Sequence, residues 1–348
     1  MKMNINSLFF KVFEKVSLCS DNSWEFNAEC FDWNPGIFLA GASAFYKKFG
    51  DKEVIDYLKG WCERHLWESG NQRTVNSSAP LIMVSDLYVL TGEEKYKTAC
   101  EEAAKWLVTE APLTVDGGLE HTVTEGDQFH NQMWADTLFM AVLFVAKWGK
   151  ITDNKEYIDF AAKQLVVHHR MLRDGQSGLF YHGWDGAARN HMSAAKWARA
   201  NAWVILASGL IMSELPERFE GKDYVAESLL SLAEALKNCQ HDDGGFSTVL
   251  DCPESYCETS AAAGIAAGIF YGIANGFLPE SLSGTARRAA EYVKKLILPD
   301  GSVTGVSTGT PVMPSVEAYF TIDRGCALYG QGLALFMHTY KETLNKSR

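Results

Sequence analysis

The feature that most constrains this sequence is an alternation between two kinds of predicted helix. Apolar residues recur with the helical period through most of the 348 residues, and the alternating runs typical of strands are nearly absent. The chain is therefore expected to be all-α. The twelve predicted helices span residues 5–18, 35–49, 51–68, 77–91, 93–108, 131–149, 154–171, 194–212, 221–239, 255–276, 282–297 and 315–342.

Charged residues divide these helices into two groups. Helix 51–68 carries eight charged residues, whereas helix 77–91 carries only one, Asp86. A helix that is apolar on all sides is buried, and an amphipathic helix faces water on one side. Inner and outer helices should therefore alternate along the chain. The predicted inner helices include 77–91, 131–149, 194–212 and 255–276.

Loop length alternates in step with charge. An outer helix follows an inner one through a short turn such as Thr91-Gly92, whereas long loops lead back to the inner helices. Asp-Gly turns follow four outer helices, the first at Asp116, with successive spacings of 58, 69 and 57 residues. This period fits six helical hairpins closed in a ring. We predict one domain over residues 1–348, an (α/α)6 barrel with its long loops on one face.

Composition and charge argue against several classes of partner. Acidic residues outnumber basic ones by 43 to 32, and the net charge of -11 disfavours binding to nucleic acid or to an anionic membrane. No stretch is apolar and long enough to span a bilayer, and the amphipathic start does not resemble a signal peptide. The eight cysteines are scattered without a CxxC pair. We expect reduced thiols and a cytoplasmic location.

The long loops and the N-termini of the inner helices hold many aromatic and polar side chains. Aromatic faces beside a few hydrogen-bonding groups suit the apolar face and hydroxylated rim of a sugar ring. The candidate substrate-binding residues are Trp33, Asn76, His121, Trp134, His182, Lys196, Trp197, Arg199 and Trp203. Lys196 and Arg199 either bind a substrate carboxylate or pair with Asp185 or another loop acid. His182 is either a substrate contact or a structural loop histidine.

Asp136 is the candidate catalytic residue. It lies near the start of predicted helix 131–149, which carries only one other charge, Lys147. A carboxylate among apolar residues is costly unless it is paired or functional. Burial raises its pKa and a helix N-terminus lowers it, so a role as proton donor requires that burial prevail. The alternative is a structural aspartate that caps the helix.

Several familiar catalytic motifs are missing from the sequence. It contains no HExxH, no P-loop, no GxSxG and no Cys/His cluster with metal-ligand spacing. We therefore expect neither a metal nor another cofactor. A two-carboxylate glycosidase pair is not evident either, because Asp136 has no obvious partner.

Five stretches along the chain carry a family resemblance. They are WADTLFM (134–140), GLFYHGWD (178–185), KWARANAW (196–203), SYCETS (255–260) and YGQGLA (329–334). Together they resemble the unsaturated rhamnogalacturonyl hydrolases of glycoside hydrolase family 105. The resemblance extends over nearly the whole chain and implies the same (α/α)6 fold. It also implies an unsaturated uronyl oligosaccharide as substrate and Asp136 as the catalytic acid.

The resemblance also implies a mechanism. The family removes a 4,5-unsaturated uronic acid from the non-reducing end of lyase-generated oligosaccharides by hydrating an enol ether. Asp136 would protonate C4 and then accept a proton from the water that adds at C5. Several family members carry a second aspartate where this chain has Asn76. Asparagine binds a hydroxyl or orients water but does not act as a base, so more of the chemistry falls to Asp136.

Two other functions remain open from the sequence. One is a different (α/α)6 sugar enzyme, such as an N-acylglucosamine-type epimerase, which needs two histidines facing each other across the sugar. The other is a non-catalytic helical toroid that binds a partner through its aromatic-rich face. The choice between galacturonyl and glucuronyl substrates, the aglycone and the oligomeric state are also left open.

Overall fold

A computed structural model describes residues 6–19, 23–123 and 129–346, most of which are helical. Residue 5, with which the first predicted helix begins, lies outside the described residues. The first six helices are α1 (Asn6–Ser17), α2 (Trp33–Phe49), α3 (Lys52–His65), α4 (Leu81–Thr91), α5 (Glu94–Thr109) and α6 (Leu143–Thr152). The last six are α7 (Lys155–Leu172), α8 (Ala198–Glu214), α9 (Lys222–Cys239), α10 (Thr259–Ala274), α11 (Ser283–Lys295) and α12 (Leu328–Lys346).

These helices form two concentric layers. The even-numbered helices make the inner layer: each packs against the next, and α12 packs against α2 to close the ring. Helices α3, α5, α7, α9 and α11 each lie outside the inner helix that precedes them, and α1 packs against α12. The arrangement confirms the predicted all-α (α/α)6 barrel.

Burial follows the charge pattern of the sequence. Every residue of the inner helix α8 from Ala198 to Gly209 is buried. The outer helix α9 instead buries one face, which includes Val225 and Leu229. Charge-poor helices therefore form the inner layer because they lose little by leaving water on all sides. Among the described helices, none is both long and apolar enough to cross a membrane.

The closure of the ring depends on a close approach of α2 and α12 at two glycines. A Cβ atom on Gly41 would collide with the backbone of Gly332, and one on Gly332 would collide with the backbone of Ile37. Nearby, the backbone N–H of Tyr329 donates to Asn34 Oδ1 at 3.3 Å, which joins residues 295 positions apart. Only glycine lets the two backbones come this close.

Two short antiparallel ribbons lie among the loops, and the sequence did not predict them. Strand β1 (Gln132–Trp134) pairs with β2 (Gly183–Asp185), and β3 (Val306–Ser307) pairs with β4 (Arg324–Gly325). The prediction of a continuous helix over 131–149 is therefore wrong at its start. That segment begins with β1, and the helix follows through a π-helical turn at Leu138–Val142 that leads into α6.

Other helices were also predicted to begin too early. Their observed starts are Leu81 for α4, Ala198 for α8, Thr259 for α10 and Leu328 for α12. The residues that directly precede α4 and α8 are mostly buried although they are not α-helical, so burial does not mark the boundary. Trp197, for example, is fully buried although its backbone forms a bridge with Val249 rather than a helical turn.

Candidate active site

A cavity of about 490 Å³ opens where the long loops meet the N-termini of the inner helices. Its wall is formed by the start of α2, the residues before α4 and α6, the start of α8 and the loop 308–311. Trp33, Trp134 and Trp197 supply aromatic faces to it. The volume is typical of a site for a small ligand.

The backbone around Asp136 is fixed by the β1–β2 ribbon and by the helix that follows. The N–H of Ala135 donates to the carbonyl of His182 at 2.9 Å, which continues the ribbon by one residue. The carbonyl of Asp136 accepts from the N–H groups of Phe139 and Met140, both at 3.0 Å. Asp136 therefore lies in the turn before the helix, and not within it as predicted.

The side chain of Asp136 contacts His182. Asp136 Oδ2 lies 3.2 Å from His182 Nε2, and the two side chains are 14% and 0% exposed. The distance is within reach of a hydrogen bond, but the N–H direction is poorly aligned, and neither atom has a well-formed hydrogen bond within the described ranges. The contact is therefore mainly electrostatic. The buried Oδ2 atom of Asp136, at the edge of the cavity, is left available to a ligand.

The surroundings of Asp136 lower its pKa from the ordinary value. Burial is the largest influence and raises the pKa, but the interactions with His182, His121 and Arg199 together lower it more. The interaction with the neighbouring His182 comes first among the influences that lower it. Asp136 is therefore ionised in the free protein at neutral pH. It acts as a proton donor only if substrate binding raises its pKa.

His121 lies against one face of Trp134. The two rings stack with centroids 4.3 Å apart and planes 12° apart, and His121 Nδ1 lies 3.0 Å from Thr137 Oγ1. Burial lowers the pKa of His121 to about 4. The neutral imidazole therefore holds the indole of Trp134 in place and can exchange a hydrogen bond with a sugar hydroxyl.

Arg199 reaches the cavity from α8, but most of its donors are already used. Its Nη1 atom donates to Ser307 O at 2.8 Å and to Ser307 Oγ at 2.7 Å, and Nη2 donates to Thr308 O at 2.9 Å. The guanidinium also lies 4.3 Å from the ring centre of Trp197 and 4.6 Å from that of Tyr329. Arg199 therefore holds the loop 308–311 and adds positive charge to the cavity.

Asn76 lies in a short 3-10 turn at Asn76–Ser78 before α4. Its backbone N–H donates to Thr122 O at 3.2 Å. Its Oδ1 atom is buried and has no hydrogen-bond partner among the described residues, although the residue lines the cavity. The amide oxygen is therefore available to accept from a hydroxyl group or a water molecule.

The structure brings most of the predicted site residues together. Those that line the cavity are Asp136, Trp33, Asn76, His121, Trp134, Trp197 and Arg199. His182 lies behind Asp136 and does not line it.

Two predicted substrate contacts lie elsewhere. Lys196 Nζ pairs with Asp174 at 3.0 Å and with Asp251 at 2.9 Å. This is the predicted alternative in which Lys196 pairs with a loop acid, although its partners are not Asp185. Trp203 is fully buried and packs against Phe139, with ring centres 5.2 Å apart. The sequence placed both residues near the cavity because they share a motif with Arg199, but their side chains point away from it.

The sequence analysis missed two parts of the wall. One is the loop 308–311 and the other is Trp24, whose ring lies 5.7 Å from that of Trp33. The length of the loop that precedes α12 could have indicated that residues 308–311 belong to the wall. Within the described ranges, no group of three His, Cys, Asp or Glu side chains is suited to a metal ion.

Comparisons with known proteins show similarity along nearly the whole chain. A sequence model of Glycosyl Hydrolase Family 88 matches residues 4–344. The unsaturated rhamnogalacturonyl hydrolase YesR of Bacillus subtilis is 31% identical over 314 residues, which cover 88% of each chain.

Two solved structures share the fold of this chain. A possible member of the GH105 family from Klebsiella pneumoniae superposes with a TM-score of 0.92 at 29% identity, covering 100% of this chain and 95% of the other. The unsaturated glucuronyl hydrolase of Bacillus sp. GL1 superposes with a TM-score of 0.76 at 16% identity, covering 98% and 94%, and shares the fold. The resemblance found in the sequence motifs is confirmed, and the chain belongs to Glycosyl Hydrolase Family 88 as a glycoside hydrolase.

Proposed function

We propose that this protein removes a 4,5-unsaturated uronic acid, galacturonyl or glucuronyl, from the non-reducing end of an oligosaccharide by hydrating its C4–C5 double bond. The observation that carries the proposal is the carboxylate of Asp136. Its Oδ2 atom is buried without a well-formed hydrogen bond in the described part of the chain, and the residue lines an aromatic cavity. Buried polar atoms in native proteins are nearly always paired, so this oxygen points to a reaction partner.

The cavity suits the two faces of a uronic acid. The indoles of Trp33, Trp134 and Trp197 offer apolar surfaces to the C–H face of the ring. Arg199 attracts the substrate carboxylate through its positive charge, since Nη1 already binds Ser307 and Nη2 already binds Thr308. These features select an anionic sugar over a neutral one.

The substrate itself supplies the change in pKa that the reaction needs. A second negative charge close to Asp136 disfavours its ionised form. Binding of the uronate therefore raises the pKa of Asp136 and favours uptake of a proton from solvent. A general acid works best when its pKa lies near the working pH.

The reaction then needs one carboxylate. Asp136 gives its proton to C4, where the electron pair of the double bond forms the new C–H bond and leaves an oxocarbenium-like centre at C5. Water adds to C5 and returns a proton to Asp136. The hemiketal opens to a ketone at C5, the hemiacetal at C1 collapses, and the aglycone leaves as an alcohol.

Asn76 supports this chemistry without exchanging protons. Its unpaired Oδ1 accepts a hydrogen bond from a sugar hydroxyl or from the attacking water. On this proposal the residue orients the reacting groups and Asp136 performs both proton transfers.

The geometry favours hydration over epimerisation. An epimerase of the type considered above needs two histidines on opposite sides of the sugar. His121 lines the cavity, but His182 is fully buried behind Asp136 and does not. The two imidazoles therefore do not face each other across the site.

We further propose that residues 1–348 act as one catalytic domain in the cytoplasm on a small oligosaccharide, with neither nucleic acid nor a membrane as partner. No disulfide joins any of the described cysteines, which supports a reducing compartment. The net charge of -11 supports the absence of anionic polymers and membranes as partners.

The decisive test uses a panel of unsaturated disaccharides made by polysaccharide lyases, with either uronic acid and with different aglycones. The double bond conjugated to the carboxylate absorbs in the ultraviolet, and hydration destroys this absorbance. We expect loss of absorbance together with release of the aglycone, and no reaction with saturated analogues. If a correctly folded sample bleaches none of the unsaturated substrates, the proposal is wrong.

A further inference from the structure

Tyr319 makes a hydrogen bond on the side of His182 that faces away from Asp136. It lies in a 3-10 turn at Glu317–Thr321, within a region predicted to be helical. Its side chain is fully buried, and its Oη atom lies 2.7 Å from His182 Nδ1. His182 therefore bridges two groups, with Tyr319 at one ring nitrogen and Asp136 at the other.

The direction of this hydrogen bond follows from a third group. The backbone N–H of Met313 donates to Tyr319 Oη at 3.1 Å. A backbone N–H can only donate, so it occupies a lone pair of the phenol oxygen. The hydroxyl of Ser193 also interacts with Tyr319 and can donate to the second lone pair. With both lone pairs occupied, the hydroxyl proton of Tyr319 has His182 Nδ1 as its acceptor. Burial raises the pKa of Tyr319, so this proton is retained.

The ring of His182 is also held in orientation by its neighbours. It packs against the ring of Trp197 with centres 4.4 Å apart and against that of Tyr319 with centres 5.8 Å apart. A flip of the ring would put Cδ2 in the place of Nδ1 and break the hydrogen bond to Tyr319. With Nδ1 as acceptor, the ring carries its proton on Nε2, the nitrogen next to Asp136.

We propose that Tyr319 is a positioning residue that fixes the tautomer of His182, so that the protonated ring nitrogen is Nε2, which lies 3.2 Å from Asp136 Oδ2. The donors form one chain from Met313 N–H through Tyr319 O–H to His182 Nε2–H, and the chain ends beside the carboxylate of Asp136. This chain stabilises the carboxylate before protonation and again after the proton has passed to C4. The inference rests on the proposed catalytic role of Asp136.

The other charged groups near this chain do not replace it. His121 and Arg199 also interact with Asp136, and His121 interacts electrostatically with His182. Burial lowers the pKa of His121 to about 4, so it is neutral at the working pH. Arg199 keeps its charge in all variants considered below. If the pKa of Asp136 changes when the Tyr319 hydroxyl is removed, the change is therefore transmitted through His182.

The first test is a direct measurement of the tautomer. In protein labelled with ¹⁵N-histidine, the nitrogen chemical shifts distinguish protonated from unprotonated ring nitrogens, and His182→Gln assigns the signals. We expect a protonated Nε2 and an unprotonated Nδ1 for His182 at neutral pH. A protonated Nδ1 overturns the proposal. This result does not depend on activity, so it is separable from a failure of the proposed reaction.

The second test is the pH dependence of Tyr319→Phe. Without the phenol proton, Nδ1 competes for the histidine proton and the carboxylate loses part of its stabilisation. We expect the pKa of Asp136, as read from the pH profile of kcat/KM, to rise by about one unit. One hydrogen bond to a charged group has an effect of this size. We also expect Nδ1 of His182 to become partly protonated in the nitrogen spectrum.

The matched control is Tyr157→Phe. Tyr157 donates its hydroxyl to Glu101 at 2.6 Å and lies on the outer helix α7, away from the cavity. This variant also loses a hydroxyl and a hydrogen bond, so its stability falls without any change in the pH profile. If Tyr319→Phe behaves in the same way, with the wild-type profile and the wild-type tautomer, Tyr319 is only a packing residue.

Discussion

Arg199 Nη1 lies 3.7 Å from Glu258 Oε1, and the two side chains are only 1% and 0% exposed. Glu258 also caps α10, since its carboxylate accepts from the backbone N–H groups of Ser260 and Ala261. In addition, Glu258 Oε1 accepts from the N–H of Ser307 at 2.8 Å. The pair therefore joins α8, α10 and the loop that forms one wall of the cavity. Each charge is stabilised by the other, because neither side chain is exposed to solvent.

Replacing Arg199 should destabilise the fold as well as weaken substrate binding. Arg199→Met leaves the carboxylate of Glu258 buried without its partner, which typically costs roughly 3–5 kcal/mol. The free energy of unfolding in urea measures the loss. The double variant Arg199→Met/Glu258→Gln removes the unpaired charge and should recover part of it. If Arg199→Met unfolds at the wild-type urea concentration, the pair does not stabilise the fold.

Replacing Asp136 should abolish the reaction while leaving substrate binding largely intact. Asp136→Asn keeps the shape of the side chain but cannot transfer a proton, so kcat should fall by at least about two orders of magnitude. The loss of ultraviolet absorbance measures it. Asp185→Asn on the same ribbon is the matched control and should be near wild type, and Asn76→Ala should have a milder effect. Near wild-type bleaching by Asp136→Asn would rule out the mechanism.

The pH profiles of kcat and kcat/KM should differ. The pKa of Asp136 is lowered in the free enzyme, so its protonated form becomes scarcer as the pH rises, and kcat/KM should decline. The bound uronate raises this pKa, so the alkaline limb of kcat should lie at higher pH than that of kcat/KM. Initial rates over a range of pH and substrate concentration separate the two limbs. Coincident limbs would show that substrate does not raise the pKa.

Lys196 should not contribute to substrate binding. Its ammonium group pairs with Asp174 and Asp251 rather than facing the cavity. Lys196→Met should therefore keep the KM of the wild type, with only a change in stability. Steady-state kinetics with the preferred disaccharide measure this directly. A clear rise in KM without a loss of stability would show that Lys196 contributes to substrate binding.

Acid should destabilise the protein partly through His338 on α12. Burial lowers the pKa of its imidazole to about 4 in the folded state, whereas an unfolded histidine titrates near 6.5. The unfolded chain therefore binds more protons between these values, and stability falls as the pH is lowered through this window.

His338→Phe should remove this part of the acid sensitivity. Phenylalanine retains the stacking on Phe9, whose ring centre lies 4.1 Å from that of His338. The loss of stability between pH 7 and pH 5 should shrink by about 2 kcal/mol relative to wild type. Urea unfolding at both pH values measures the difference. If His338→Phe loses as much stability as the wild type between these pH values, His338 does not contribute to the acid sensitivity.

The ring could be predicted from the sequence because its signal is repeated. Helices with few charges, such as 77–91, alternate with charged ones, such as 51–68, along most of the chain, and the inner helices are buried over most of their length. Asp136 could be found for a related reason, since a carboxylate beside Trp134 in a charge-poor segment is unusual. The reaction was predicted from the resemblance of the sequence motifs to a known family.

The contacts within the site could not be predicted, because they join distant parts of the chain. The β1–β2 ribbon pairs Met133 with Trp184, and no local pattern marks either segment as a strand. Lys196 finds Asp174 and Asp251 only once the loops are folded together. Tyr319 reaches His182 across 137 positions. Such pairs are set by the tertiary structure rather than by local periodicity.

The closure of the ring at Gly41 and Gly332 has a consequence for the order of folding. Contacts between neighbouring hairpins form over short loops, whereas the contact from Tyr329 to Asn34 spans 295 positions and carries a larger entropic cost. We expect the closure to form late, after most hairpins have assembled. The stacked pair of Trp33 and Tyr329, with ring centres 5.1 Å apart, lies across this junction. A nascent chain would therefore acquire most of its helices before it has a complete sugar-binding wall, and catalytic competence would arise only with the last contact.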